Sequence, residues 1–389
     1  MSTVDLVWFN AGGGHRAAAL ALEQVLRAQR PHWRVRRVNL TEVLDPTALF
    51  RRTLGFEPED LYNQRLASGF TLGLGQELKL LQAGIRLAHA PLVQRLAAHW
   101  RRTQPDLVVS LVPNFNRALH DGLALARPGV RFVTVMTDLA DHPPHFWIEP
   151  GVQQHLVCGT EHALRQARAA GVPAERLHRA SGMVLRPEFH APPPADRTLE
   201  RAMAGLDAHT PTGLVLFGGT GSRVMKTIAR QLPHTPLVLM CGRNEALAAE
   251  LRALPAPAPR IVLGFSPEVA RWMRRCDFFI GKPGPGSLSE AVAQGLPVIT
   301  TRNAWTMPQE RHNTEWVREH GLGLVLRRFA EVDEAVPRLL ATLPAHQARV
   351  AAMANRAVFE LPGILDGLLQ PGLAAPAAPV APLRDGPRA

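Results

Sequence analysis

The chain has 389 residues, long enough for two hydrophobic cores, and its 46% apolar and 20% charged residues are those of an ordinary globular protein. No apolar run approaches the roughly 18 residues of a membrane-spanning helix, no signal peptide is expected, and three cysteines without C-x-x-C spacing (Cys158, Cys241, Cys276) argue against a disulfide framework or a cysteine zinc site. The formal charge of +11 comes with no nucleic-acid-binding motif, so nucleic acid is not an expected partner, whereas an anionic membrane surface would use the same excess.

Strand–turn–helix units recur along the chain. "VDLVWFN" (4–10) reads as a strand, and after a glycine cluster "HRAAALALEQVLRAQ" (15–29) has helical apolar spacing. "WRVRRVNL" is the next strand, and "PDLVVSLVP" (105–113) and "VRFVTVMTDL" (130–139) are continuous apolar runs of the kind buried in parallel sheets. Residues 191–212 shift to Pro, Ala and polar residues and read as a linker with a short helix. A second alternating series opens at "GLVLFGG", and the Pro/Ala-rich residues 371–389 read as disordered. The expectation is an α/β protein of two Rossmann-like domains, 1–190 and 213–370, facing a central cleft. Ligands of such sheets bind at the carboxyl ends of the strands, so the glycine loops should face the cleft.

The first loop, "AGGGHRAAA", fits two templates. Gly12, Gly14 and Ala17 match the G-x-G-x-x-A dinucleotide fingerprint, and the following strand carries Arg36 and Arg37, which suit the 2′-phosphate of NADP. His15, however, opens a helix, where the macrodipole disfavours a positive charge; a neutral imidazole at a cleft is a competent general base. The second loop, "FGGTGSR" (217–223), offers successive backbone N–H groups and two hydroxyls ahead of a helix, a setting for a diphosphate, although it is not a P-loop.

The third loop, "DFFIGKPGPGSLSEAVAQGLPVIT" (277–300), is the most specific. Ser287 has Glu290 three residues on, a capping-box pattern, so Glu290 either caps the helix or accepts hydrogen bonds from a ribose diol. Lys282, one of only three lysines, has the position to neutralise a phosphate or a sugar carboxyl. In "RNAWTMPQERHNTEWV" (302–317), Gln309, Glu310 and Asn313 lie just beyond a strand end, where they would read sugar hydroxyls, and Glu310 and Asn313 could equally belong to a solvated first helical turn. "TDLADHPPH" (137–145) gathers Asp138, His142 and His145, but its prolines deny helical ligand spacing and no metal is expected.

Together "GGGHRAAA", "GGTGS", "GKPGPGSLSEA…GLPVI" and "PQE..N", in this order, resemble the monogalactosyldiacylglycerol synthase and processive diacylglycerol glucosyltransferase group. More distantly they are similar to the peptidoglycan N-acetylglucosaminyltransferase. "DLADHPPHFW" also looks like that group's Asp–Leu…His–Pro segment. The resemblance implies the GT-B fold and an inverting hexosyl transfer from a UDP-sugar co-substrate to a lipid hydroxyl, with no cofactor and no obligatory metal. It implies His15 as the base, Asp138 and His142 on the acceptor side, and Gly13 and Gly14 bordering the donor. Gly219, Thr220, Gly221 and Ser222 would hold the diphosphate, and the backbone near Phe265 would meet uracil. Lys282, Pro283, Gly284, Gly286 and Ser287 would line the donor, with Glu290 on the ribose and Gln309 and Glu310 on the sugar. The implied location is cytoplasmic, peripheral on the inner face of the cell membrane. Residues 70–102, which mix Leu, Ile, Val and Trp100 with Lys79, Arg86, Arg95, Arg101 and Arg102, fit a membrane-lying segment or ordinary packing helices. A sugar-nucleotide 2-epimerase of the same fold, an NADP-dependent oxidoreductase and a silent nucleotide-binding protein are the competing readings.

Overall fold

The computed structural model describes residues 1–10, 13–45 and 74–369. Gly12 and residues 70–73, which enter the expectations above, lie outside these, as does the segment 371–389. The first sheet contains β1 (Thr3–Trp8), β2 (Arg34–Asn39), β3 (Leu107–Ser110), β4 (Arg131–Val135), β5 (His155–Cys158) and β6 (Leu177–Arg179), in the order β2-β1-β3-β4-β5-β6. The second contains β7 (Gly213–Leu216), β8 (Leu237–Met240), β9 (Arg260–Leu263), β10 (Phe278–Gly281), β11 (Val298–Thr301) and β12 (Gly323–Leu326), in the order β12-β11-β10-β7-β8-β9. Every strand pair is parallel.

The apolar runs explain the central strands. β3, β7, β8, β10 and β11 are buried at every residue because helices cover both faces, whereas the edge strand β2 buries only Val35. The linker is bolted down rather than loose. Its helix Arg197–Met203 sends Arg201, 1% exposed, to Asp277 Oδ2 at 2.9 Å and to the carbonyls of Asp207 and Thr210.

One element departs from the expected domain boundary. The helix Ala357–Leu369, which the sequence reading leaves in the second domain, returns to the first and buries Val358, Leu361 and Leu365 against Leu22, Leu26 and Val133. Its apolar face is complementary to the first sheet's helix layer, and Glu360 Oε2 accepts from the Ser181 amide at 2.8 Å to fix the crossing. Leu139, Met183, Leu185 and Phe189 join Leu216, Met240 and Leu288 in one apolar cluster, so the two domains share a core at their seam.

Candidate active site

In each sheet the strand order reverses at one point, between β1 and β3 in the first and between β7 and β10 in the second. The carboxyl ends of strands at such a switch point diverge and leave a crevice. Beyond the strand ends stand His15 after β1, Leu111 after β3, Thr137 and Asp138 after β4, the 217–223 loop after β7 and Lys282 after β10; of these, His15, Asp138, the 217–223 loop and Lys282 were singled out in the sequence.

His15 lies in the first turn of the helix Gly14–Gln29, whose N-cap, Gly13, has φ 79°, in the left-handed region open to glycine. The Nδ1 atom is 2.9 Å from the Leu111 carbonyl oxygen and 3.0 Å from Thr137 Oγ1. A carbonyl oxygen only accepts, so Nδ1 carries the proton and Nε2 keeps its lone pair. Phe9 stacks on the ring at 4.7 Å and 20°, and the Trp147 ring stands 5.9 Å away. Burial pushes the imidazole down to about 4, against the opposing Leu111 hydrogen bond. The neutral imidazole expected from the helix dipole is thus present, but burial is its main cause.

Trp147 connects His15 to Asp138 and Asp141 in the segment beyond β4. Its indole N–H donates to Asp138 Oδ2 at 2.8 Å, and its backbone N–H donates to Asp141 Oδ1 at 2.6 Å. Burial raises the Asp138 carboxyl to about 7, and the Glu310 and Asp141 carboxylates push the same way while the Trp147 hydrogen bond opposes them. The Glu310 carboxylate, in the helix Pro308–Glu319 of the second domain, thus acts on the first domain's Asp138 through charge. His142, expected beside Asp138, lines a separate cavity with Arg302 and Arg311, and its peptide bond to Pro143 is cis. Among the described residues no three His, Cys, Asp or Glu side chains converge as a metal site.

In the second domain, Gly218 and Gly221 take φ 74° and 62°, which turn the 217–223 loop back on itself and leave Gly219 and Thr220 exposed. The segment after β8 holds the loop: the Arg243 backbone N–H donates to the Gly219 oxygen at 2.9 Å, and the Asn244 side-chain Nδ2 to the Thr220 oxygen at 3.2 Å. Ser222 Oγ accepts from the Val224 amide at 3.3 Å, at the start of the helix Val224–Gln231. Phe265, 62% exposed beyond β9, carries the Arg243 guanidinium 5.1 Å from its ring centre, an open aromatic platform.

The capping box expected at Ser287 and Glu290 does not form. Proline's fixed φ suits the first helical position, so the helix runs from Pro285 to Ala293 with Gly284 as N-cap and no side-chain cap. Gly286 and Ser287 therefore lie inside its first turn. Glu290 is freed from capping, makes no side-chain hydrogen bond among the described residues, and is raised by burial to about 7, with the Arg186 charge opposing. Lys282 Nζ pairs with Glu310 Oε1 at 3.1 Å, and Asn313 Nδ2 donates to the Pro283 carbonyl at 2.7 Å. These two links tie the third loop to the helix Pro308–Glu319, which buries Gln309 and Glu310 in its first turn. Thr137, Leu111 and Trp147 were not singled out in the sequence; the places of Leu111 and Thr137 just beyond β3 and β4 could have marked those two, and nothing local marks Trp147.

The fingerprint reading of the first loop loses its phosphate partners. Arg36 Nε binds Asp5 Oδ1 at 2.7 Å and its Nη1 the Thr103 carbonyl, while Arg37 Nε lies 2.6 Å from Glu23 Oε2. Both arginines are engaged within the first domain.

No protein-family model matches the chain. The monogalactosyldiacylglycerol synthase of spinach (Spinacia oleracea) is 28% identical over 362 residues, 86% of this chain, and the chain spans 65% of the length of that relative. The probable monogalactosyldiacylglycerol synthase 2 of rice (Oryza sativa subsp. japonica) is 28% identical over 372 residues, 87% of this chain and 74% of the relative. Among solved structures, MurG of Acinetobacter baumannii superposes with a TM-score of 0.58 at 14% identity, covering 94% of this chain and all (100%) of that one. The glycotransferase of kitacinnamycin gives 0.61 at 17% identity, over 95% and 99% of the two chains. The fold is GT-B, and the named relatives are those that the four motifs resemble.

Proposed function

We propose that the protein is an inverting glycosyltransferase that moves a hexose from a UDP-sugar to a lipid hydroxyl at a membrane surface, with diacylglycerol as acceptor. The observation that carries this reading is the neutral His15, its Nδ1–H held by Leu111, at the switch point of one sheet, with glycine loops at the switch point of the other. The acceptor hydroxyl gives its proton to His15 Nε2 as its oxygen attacks the anomeric carbon. The bond from that carbon to the diphosphate breaks, and the electron pair leaves on UDP. Backbone N–H groups of Gly219 to Ser222, fixed before the reaction, stabilise the charge on the leaving diphosphate. Glu290 accepts from the ribose hydroxyls, and Gln309 and Glu310 read the sugar. Galactose is the sugar that the spinach and rice relatives' names favour.

The membrane part rests on the helix Leu74–Leu87, where Leu80, Leu81 and Leu87 are 72%, 48% and 89% exposed beside Lys79 and Arg86. No helix of the described residues is long and apolar enough to cross a membrane, so contact would be at the surface. The test is incubation of the protein with UDP-galactose or UDP-glucose and vesicles containing diacylglycerol. Glycolipid formed together with UDP supports the reading. Sugar-nucleotide turnover without acceptor would turn the assignment to an epimerase, and no turnover of either donor would overturn it.

A further inference from the structure

A second cavity, of about 230 Å³, lies where the two domains meet. The first domain contributes His142 and His162; the second contributes Arg302, Arg311, His312 and Glu315. The rings of His162 and His312 stack across the seam with centroids 3.8 Å apart and planes at 24°. At 3.6 residues per turn, Arg311, His312 and Glu315 fall on the face of their helix opposite Gln309, Glu310 and Asn313, so this cavity is separate from the sugar side of the cleft.

Its charge is uncompensated. Glu315 is paired with Arg302, and among the described residues the exposed Arg311 side chain keeps only a 3.4 Å bond from Nε to the Thr306 carbonyl. His312 is 7% exposed, and its Nδ1 stops 3.5 Å from Glu315, short of a good hydrogen bond. The lining holds no apolar side chain besides Ala140, which leaves nothing for an acyl chain to pack on, and two guanidiniums exclude a metal cation.

We propose that this cavity binds a small tetrahedral oxyanion of the sulfate or phosphate class, which bridges the two domains. Arg311 forks onto two of its oxygens, and the His162 and His312 imidazoles donate to the others from opposite sides of the seam. The proposal is independent of the transferase reading.

The test is isothermal titration of the full chain with sulfate, against chloride at equal ionic strength, for the wild type, Arg311→Ala and Arg223→Ala. The wild type binds sulfate, Arg311→Ala weakens it about tenfold or more, since a charge-assisted contact of this kind is lost, and Arg223→Ala leaves it unchanged. Arg311 is exposed, so its replacement leaves the fold intact, and His312→Gln repeats the loss from inside the cavity. Equal affinity in Arg311→Ala, loss in Arg223→Ala (sulfate seated on the 217–223 loop), or sulfate heats no different from chloride would each overturn the proposal.

Discussion

His15 Nδ1 lies 2.9 Å from the Leu111 carbonyl oxygen, and this contact from β1's loop to β3's end fixes which ring nitrogen is basic. His15→Ala should lower turnover at least ~100-fold, within the range that a general base supplies, while leaving UDP affinity unchanged. Wild-type turnover in that variant would remove His15 from the mechanism. The same residue makes a stability prediction. Its folded pKa, about 4, is below the ordinary 6.5, so between these values the unfolded chain binds the proton and the folded chain does not. Stability contributed by the neutral ring is therefore lost as pH falls from 6.5 towards 4, on the order of 1–3 kcal/mol for a half-buried imidazole. Denaturant midpoints across that range should fall less steeply for His15→Gln than for the wild type.

Glu290 gives the opposite pH signature in binding. Its carboxyl is raised to about 7, so it is charged only above that pH, and it is the charged form that accepts from a ribose diol. UDP affinity should rise as pH passes upward through 7. Glu290→Gln should flatten that rise and weaken binding about tenfold at the alkaline end. An identical pH profile in the variant would assign the dependence to another group.

Gly242 tests whether the 217–223 loop is held from behind. It has φ 60°, and a Cβ there would stand 2.1 Å from the Gly219 oxygen. Gly242→Ala must therefore push the loop forward as well as strain its own backbone, which alone costs about 1–2 kcal/mol. Weaker UDP binding and a lower Tm are expected together. A Tm loss with UDP affinity intact would mean that the loop does not carry the diphosphate.

If the exposed leucines meet lipid, the double variant Leu80→Ser, Leu87→Ser should sediment less with anionic vesicles and keep its Tm, because neither side chain packs in the core. Unchanged sedimentation would leave this helix out of membrane contact.

The strand–glycine–helix repeats made both parallel sheets readable, because short apolar runs alternating with helices are buried on two faces; the strand order, and with it the switch points, came only from the structure. The bends of the glycine loops followed, since glycine spacing records where backbone must bend. Three features were not readable, each for a physical reason. Pro285 and Ser287 both look like helix starts, and proline's fixed backbone prevailed. Trp147 reads as a core aromatic until its N–H is seen on Asp138. The stack of His162 on His312 joins residues far apart in the chain, and no local pattern announces such a contact.

The same limit hid the return of the helix Ala357–Leu369, whose apolar periodicity says that it is buried but not against which domain. Its burial in the first core makes the two domains interdependent. Leu361 is fully buried (0% exposed) among first-domain residues, so Leu361→Ala should cost about 2–5 kcal/mol. The loss should appear in the unfolding of the first domain, read by hydrogen exchange at β1 and β3, while β7 and β10 keep their protection. Truncation before Ala357 would expose Val358, Leu361 and Leu365 partners together and should leave the first domain unfolded or aggregated. Exchange that quickens equally in both sheets after Leu361→Ala would show one cooperative unit, with the shared cluster of Leu139, Met183 and Leu288 transmitting the loss.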